Sequence, residues 1–149
     1  MIREISHSIE IDATTDQVWS VLTDTASLRS WNPFIHQIEG ELRVGAKPRV
    51  VIQLPGRRPR TVRPTVLTVA PARELRWRWR MLIPGLFDTE HSFRLEPTPN
   101  DSTRFTQMER FSGILIASAK GELDRTAIGF GQMNEALKAR AEARQAAQL

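Results

Sequence analysis

Between residues 2 and 12 apolar and polar positions alternate, and Ile5, His7, Ile9 and Ile11 share one face, as a half-buried strand requires. Thr14-Thr15-Asp16-Gln17 then fits a capping box, with Thr14 as N-cap and Gln17 at the third helical position. Val18, Trp19, Val21 and Leu22 supply the buried side of this short helix. A second short helix, capped by Asp24 or Thr25, runs through Leu28 and must stop before Pro33. From Phe34 the period becomes twofold. Phe34, His36, Ile38, Gly40, Leu42 and Val44 fall on one face of a strand that ends at Gly45.

Further strands are predicted over residues 49–54, 61–69 and 75–81, punctuated by Pro55-Gly56, Pro71 and Pro84-Gly85. In the next strand Phe87, Thr89, His91, Phe93 and Leu95 face one way. In the last, Phe105, Gln107, Glu109 and Phe111 oppose Arg104, Thr106, Met108 and Arg110. After Gly113 the pattern turns helical, with Ile116, Ala119, Leu123, Ala127, Phe130, Met133, Leu137 and Ala141 at spacings of three and four. Gly121, Gly129 and Gly131 each weaken that helix by roughly 1 kcal/mol relative to alanine, which points to close approach to the sheet or to a bend. The order is one strand, two short helices, six strands and one long helix. Consecutive strands joined by tight turns make an antiparallel sheet, so the fold class is α+β.

The length of 149 residues is that of one domain, and no linker or repeat divides it, so residues 1–149 are read as a single unit. With 40% apolar and 26% charged residues, the chain has the composition of a soluble globular protein. No apolar run reaches the ~18 residues of a membrane span. The charged stretch Met1-Ile2-Arg3-Glu4-Ile5 stands where a signal peptide is apolar, and a cytoplasmic location is the expectation. The absence of cysteine excludes disulfides, thiol chemistry and cysteine–zinc sites.

The net charge of +4 invites a nucleic-acid reading, which its distribution argues against. Ten arginines and Lys47 lie between Arg43 and Arg80 against one acid, Glu74. In Leu75-Arg76-Trp77-Arg78-Trp79-Arg80-Met81 the arginines take one face of a strand and the tryptophans the other. Aromatics that stack on bases share an exposed face with the cations, so specific nucleic-acid binding is not expected. A solvated sheet face, or an acidic partner along the stretch from Arg49 to Arg80, fits better.

The stretches Ala13-Thr14-Thr15-Asp16-Gln17-Val18-Trp19-Ser20-Val21-Leu22-Thr23-Asp24 and Trp31-Asn32-Pro33-Phe34-Ile35 are joined by Leu75-Arg76-Trp77 and His91-Ser92-Phe93-Arg94-Leu95-Glu96-Pro97. With Glu109-Arg110-Phe111-Ser112-Gly113 and Met133-Asn134-Glu135-Ala136-Leu137-Lys138, their order resembles the START/Bet v 1-like (SRPBCC) superfamily. The likeness is in particular to its polyketide cyclase/dehydrase and lipid-transport branch. The resemblance implies a helix-grip fold: a curled seven-stranded antiparallel sheet wrapped around the long C-terminal helix, with two short helices after the first strand. It also implies an apolar cavity between sheet and helix that holds a hydrophobic small molecule, such as a lipid, polyketide or aromatic metabolite.

Candidate ligand-binding residues are His7, Phe34, His36, Trp77, Trp79, His91, Phe105, Gln107, Glu109, Phe130 and Met133. All three histidines fall on faces read as inward; no spacing motif makes them a metal site, and no cofactor is called for. The best constellation is His91 with Gln107 and Glu109, which a hairpin of the last two strands would place opposite or diagonal. An imidazole and a carboxyl inside an apolar sleeve can orient a ligand carbonyl or hydroxyl, or exchange a proton with it. His91 and Glu109 are therefore the candidate catalytic pair. The leading expectation is a carrier of a hydrophobic molecule. A cyclase or aromatase-like enzyme, with a cavity of several hundred Å³, is the alternative. A third reading is an interaction module similar to the activator of the Hsp90 chaperone, which would use the arginine-rich outer face.

Overall fold

The computed structural model describes residues 1–148. The first strand, β1 (Ile2–Ile11), leads into helix α1 (Thr15–Thr23), a single 3-10 turn and the short helix α2 (Leu28–Trp31). The Thr14 capping box forms as the sequence predicts: Thr14 Oγ1 accepts from the Gln17 amide, and Gln17 Oε1 accepts from the Thr14 amide. Next come β2 (Ile35–Glu39), β3 (Arg49–Ile52), β4 (Arg60–Val62), β5 (Thr65–Ala70), β6 (Glu74–Arg80), β7 (Asp88–Pro97) and β8 (Thr103–Ser112). The long helix α3 (Lys120–Ala147) closes the fold, after a second 3-10 turn.

The strands form a five-stranded sheet in the order β1-β8-β7-β6-β5 and a three-stranded sheet, β2-β3-β4, all paired antiparallel. The α+β class and the helix-grip arrangement hold, with eight strands in place of seven. One backbone feature adds the extra strand, and a second shortens another. The strand expected over residues 61–69 is interrupted at Pro64, which has no amide hydrogen to continue a ladder. The strand that begins at Phe34 stops at Glu39, because Gly40 takes a φ of +107°. The two sheets stay joined at Val66, whose amide donates to Ala46 O and whose carbonyl accepts from the Gly45 amide, both at 2.9 Å.

Helix α3 crosses the concave face of the larger sheet and buries Thr126, Gly129, Phe130, Met133, Asn134, Leu137 and Ala141. Its buried stripe thus begins at Thr126 and Gly129 rather than at Leu123 and Ala127, which are only half-buried. Of its three glycines, Gly129 alone is forced by packing: a Cβ there would lie 2.6 Å from Phe34 Cδ2. Gly129→Ala is expected to destabilise the protein by about 1–3 kcal/mol through overpacking, outweighing the ~1 kcal/mol alanine gains in helix propensity. Urea unfolding measures this, and a net gain in stability would refute the contact.

On the outer face the arginines of β6 meet the acids of β7. Arg76 Nη1 is 2.9 Å from Glu90, Arg80 Nε is 3.8 Å from Asp88, and Arg94 Nη2 of β7 is 3.6 Å from Glu74. The cationic face is a cross-strand ion ladder, and much of its charge is neutralised within the sheet.

Candidate functional site

The pleat and register of the larger sheet build the site. Trp77 on β6, His91 on β7 and Glu109 on β8 stand in one row across three strands. The next row is Leu75, Phe93, Gln107 and, on β1, His7. Side chains in these rows share the concave face because successive residues of a strand alternate between faces.

His91 is 4% exposed, stacked on Phe93 at 4.2 Å and on Phe130 at 4.8 Å, with the Trp77 edge at 5.8 Å. Its Nε2 is 2.9 Å from Gln107 Oε1, Gln107 Nε2 is 2.9 Å from Asn134 Oδ1, and Asn134 Nδ2 is 3.2 Å from the His7 carbonyl. The last carbonyl can only accept. Asn134 must therefore donate to it with its amide nitrogen and accept from Gln107, whose carbonyl oxygen accepts in turn from His91. This one-way chain fixes the neutral imidazole with its proton on Nε2 and a lone pair on Nδ1.

That lone pair faces Glu109, whose Oε1 lies 3.9 Å from Nδ1. Burial lowers the His91 pKa from 6.5 to about 3, against the raising effect of the Gln107 hydrogen bond. Burial likewise pushes the Glu109 carboxyl from 4.5 up to about 7, opposed by a hydrogen bond with Thr89 and by the charge of Arg60. Neither is charged under mildly acidic conditions, and a neutral acid confronts a neutral base. Their separation is too long for a direct hydrogen bond and leaves room for a ligand atom to join them.

A cavity of about 60 Å³ opens beside this pair. The larger sheet contributes Trp77, Trp79, Thr89, His91, Glu109 and Phe111; the smaller sheet contributes Ile35, Val50, Ile52, Arg60 and Val62; Glu122 and Thr126 come from α3. Phe34, Leu54 and Phe87 complete the wall. One water needs roughly 10–15 Å³, whereas about 150 Å³ admits benzene, so the resting cavity holds a few waters at most. It lies far below the several hundred Å³ expected of an enzyme that folds a long chain. The interior is instead filled by Phe93, Phe105 and Phe130, each fully buried. The turn that places Phe34 is held by Asn32, whose Oδ1 accepts from the Phe34 and Ile35 amides at 2.9 and 2.8 Å.

Of the residues singled out in the sequence, Phe34, Trp77, Trp79, His91 and Glu109 line this cavity. Gln107 and Phe130 stand behind His91 and hold it. Phe105 and Met133 are core residues away from the lining, both 0% exposed. His7 lies on the concave face but beside α3, and it enters the network only through its carbonyl. His36 departs from the inward placement expected of it. A register shift between Ile35 and Gln37 turns its ring towards the Pro33 carbonyl, 3.2 Å from Nε2. Among the described residues no three His, Asp or Glu side chains gather as a metal site would. Thr89 and Phe111 were legible, since they share the alternation of His91 and Glu109. Arg60, Glu122 and Thr126 were not, because they arrive from a hairpin and a helix with no sequence link to the sheet.

The pair predicts a pH signature. Glu109 keeps its proton in the fold while the unfolded chain ionises, so its stabilising contribution is lost as pH rises from about 4.5 to about 7. His91 stays neutral in the fold, so its contribution is lost as pH falls from about 6.5 to about 3. The two slopes oppose each other where the windows overlap. Glu109→Gln removes the first, and its stability is expected to fall more than that of the wild type between pH 7 and pH 4.5 in urea titrations. Parallel responses would contradict the shifts.

A family model described as polyketide cyclase / dehydrase and lipid transport matches residues 3–143. A START superfamily protein from Mycobacterium smegmatis shares 18% identity at a TM-score of 0.74, covering 94% of this chain and 97% of that one. A norcoclaurine synthase point mutant from Thalictrum flavum, in complex with a transition-state analogue, shares 17% identity at a TM-score of 0.73, with 97% of each chain covered. The Zhui aromatase/cyclase of a Streptomyces species shares 17% identity at a TM-score of 0.69, covering 97% of this chain and 96% of that one. A search of curated protein sequences finds no match. At these identities the structural likenesses establish the fold, and no helix among the described residues is long and apolar enough to cross a membrane. On the strength of the family model, the chain belongs to the polyketide cyclase / dehydrase and lipid transport family.

Proposed function

We propose that the cavity binds a compact apolar or aromatic molecule, or the compact end of a larger one, that carries a carbonyl or hydroxyl group. The observation that supports this most is the buried Glu109–His91 pair, 3.9 Å apart, in a hollow lined mostly by aromatic and aliphatic side chains. A protonated carboxyl donates to a ligand carbonyl, and His91 Nδ1 accepts from a ligand hydroxyl. Aromatic walls supply the remaining affinity. Because the resting cavity is small, the ligand's inner end is of few atoms or the mouth widens to receive it. Organic extraction and mass spectrometry of the protein from its own host are expected to yield a reproducible apolar compound, recovered in much smaller amount from Glu109→Leu. Equal recovery from the variant, or none from the wild type, overturns the reading.

A second reading rests on the Glu109 pKa of about 7, the range in which a general acid works best at neutral pH. Glu109 would protonate a departing hydroxyl, and the carboxylate so formed would take the proton from carbon, as a cyclisation with loss of water needs, while His91 Nδ1 accepts a hydrogen bond that orients the substrate. The norcoclaurine synthase and aromatase/cyclase likenesses support this chemistry on this fold, without assigning it to this chain. Glu109→Gln separates the two readings: a carrier keeps its function of binding, whereas an enzyme loses turnover while still binding.

A further inference from the structure

The cavity continues outward. Leu54, Arg60 and Glu122 line it and also line an open groove of about 510 Å³, completed by Gly56, Arg57 and Arg58 of the β3–β4 hairpin. The groove carries three arginines against one acid, Glu122, which is engaged by Arg57 at 3.3 Å. Among the described residues neither Arg58 nor Arg60 has a carboxylate within 4.0 Å, in contrast to the paired arginines of the outer sheet face. Arg60 is held over the Trp79 ring, 5.9 Å from its centroid, at the boundary between groove and cavity. The hairpin is tied to α3 by Arg125 Nη1, which donates to Pro55 O at 3.0 Å. A largely apolar pocket thus leads directly into a cationic vestibule in which Arg58 and Arg60 form no ion pair among the described residues.

We infer that Arg58 and Arg60 form an anion subsite, and that the ligand is amphipathic, with a compact apolar end in the cavity and a carboxylate or phosphate on the arginines. This rests on the small-molecule reading given above and narrows its ligand class.

Pentanoate, butyl phosphate and butanol share one butyl end of few atoms and differ in the head, so together they isolate the subsite. At low salt both anions are expected to bind about tenfold more tightly than the alcohol, and the tighter of the two names the anion class. Added salt should erase the difference. Arg58→Gln, at a residue outside the cavity wall, is expected to cut the anions' advantage about threefold and leave the alcohol's affinity unchanged, which also shows the variant folded. Anions no tighter than the alcohol, or an advantage untouched by Arg58→Gln, overturn the subsite while leaving the cavity reading intact. If none of the three perturbs the NMR signals of His91 and Trp77, both readings fall.

Discussion

Phe130→Ala is expected to lower the unfolding free energy by about 3–5 kcal/mol, the range for deleting a fully buried aromatic ring. Phe130 is 0% exposed, stacks on His91 at 4.8 Å and meets the Phe34 ring edge-on at 5.5 Å. Its removal takes away the back of the imidazole's slot as well as ordinary core contacts. Neighbouring rings can collapse only in part, because Phe34 is itself pinned by the Asn32 turn. The enlarged hollow is expected to admit benzene, and benzene should restore part of the lost stability, since a ligand that binds only the folded form stabilises it by mass action. Urea titrations with and without benzene measure both effects. A loss below about 1 kcal/mol would show that Phe130 is not a wall of the packed interior.

Gln107→Leu is expected to cost about 2–5 kcal/mol, although leucine is well suited to an apolar core. Gln107 is 0% exposed and serves two buried neighbours at once, accepting from His91 Nε2 and donating to Asn134 Oδ1, each at 2.9 Å. Leucine leaves both without a partner among aromatic rings. The substitution also releases the tautomer. With no acceptor at Nε2, the His91 proton moves to Nδ1, where Glu109 and any ligand hydroxyl find a donor in place of an acceptor. Stability by urea titration and the tautomer by imidazole-nitrogen NMR report these separately. A variant as stable as the wild type would mean that the chain from His91 to α3 is not made.

Alternation in β6, β7 and β8 was legible in the sequence because these strands are long and have one buried face, so every second residue reports its side. That is why the sequence alone puts Trp77, His91, Gln107 and Glu109 on a common face. The Thr14 capping box was equally readable, being a local device of four residues. Failures came where one backbone position decides the outcome. Gly40 ends β2 early, the shift between Ile35 and Gln37 turns His36 outward, and Pro64 splits one expected strand into β4 and β5. None of these changes the hydrophobic pattern, so periodicity passes over them.

The cavity was harder to foresee than the fold. Six phenylalanines and four tryptophans can fill a sleeve or line it, and composition does not choose between them. Packing decides in favour of filling: Phe93, Phe105 and Phe130 occupy the interior, and the small space beside His91 lies between the two sheets near the start of α3. The network behind His91 was half visible. Pairing across the last hairpin brought Gln107 and Glu109 to His91, but Asn134 enters from α3 and the His7 carbonyl from β1, both far away in sequence.

The account depends on a carboxyl that keeps its proton beside an imidazole that refuses one. Carboxyl-carbon and imidazole-nitrogen NMR across a pH titration measures both groups in the same sample. The expected result is a Glu109 midpoint near 7, with His91 neutral, protonated on Nε2 only, until pH falls towards about 3. A Glu109 midpoint near the ordinary 4.5 with His91 titrating near 6.5 would contradict it, and the site would be a charged, hydrated pair with no claim on an apolar ligand.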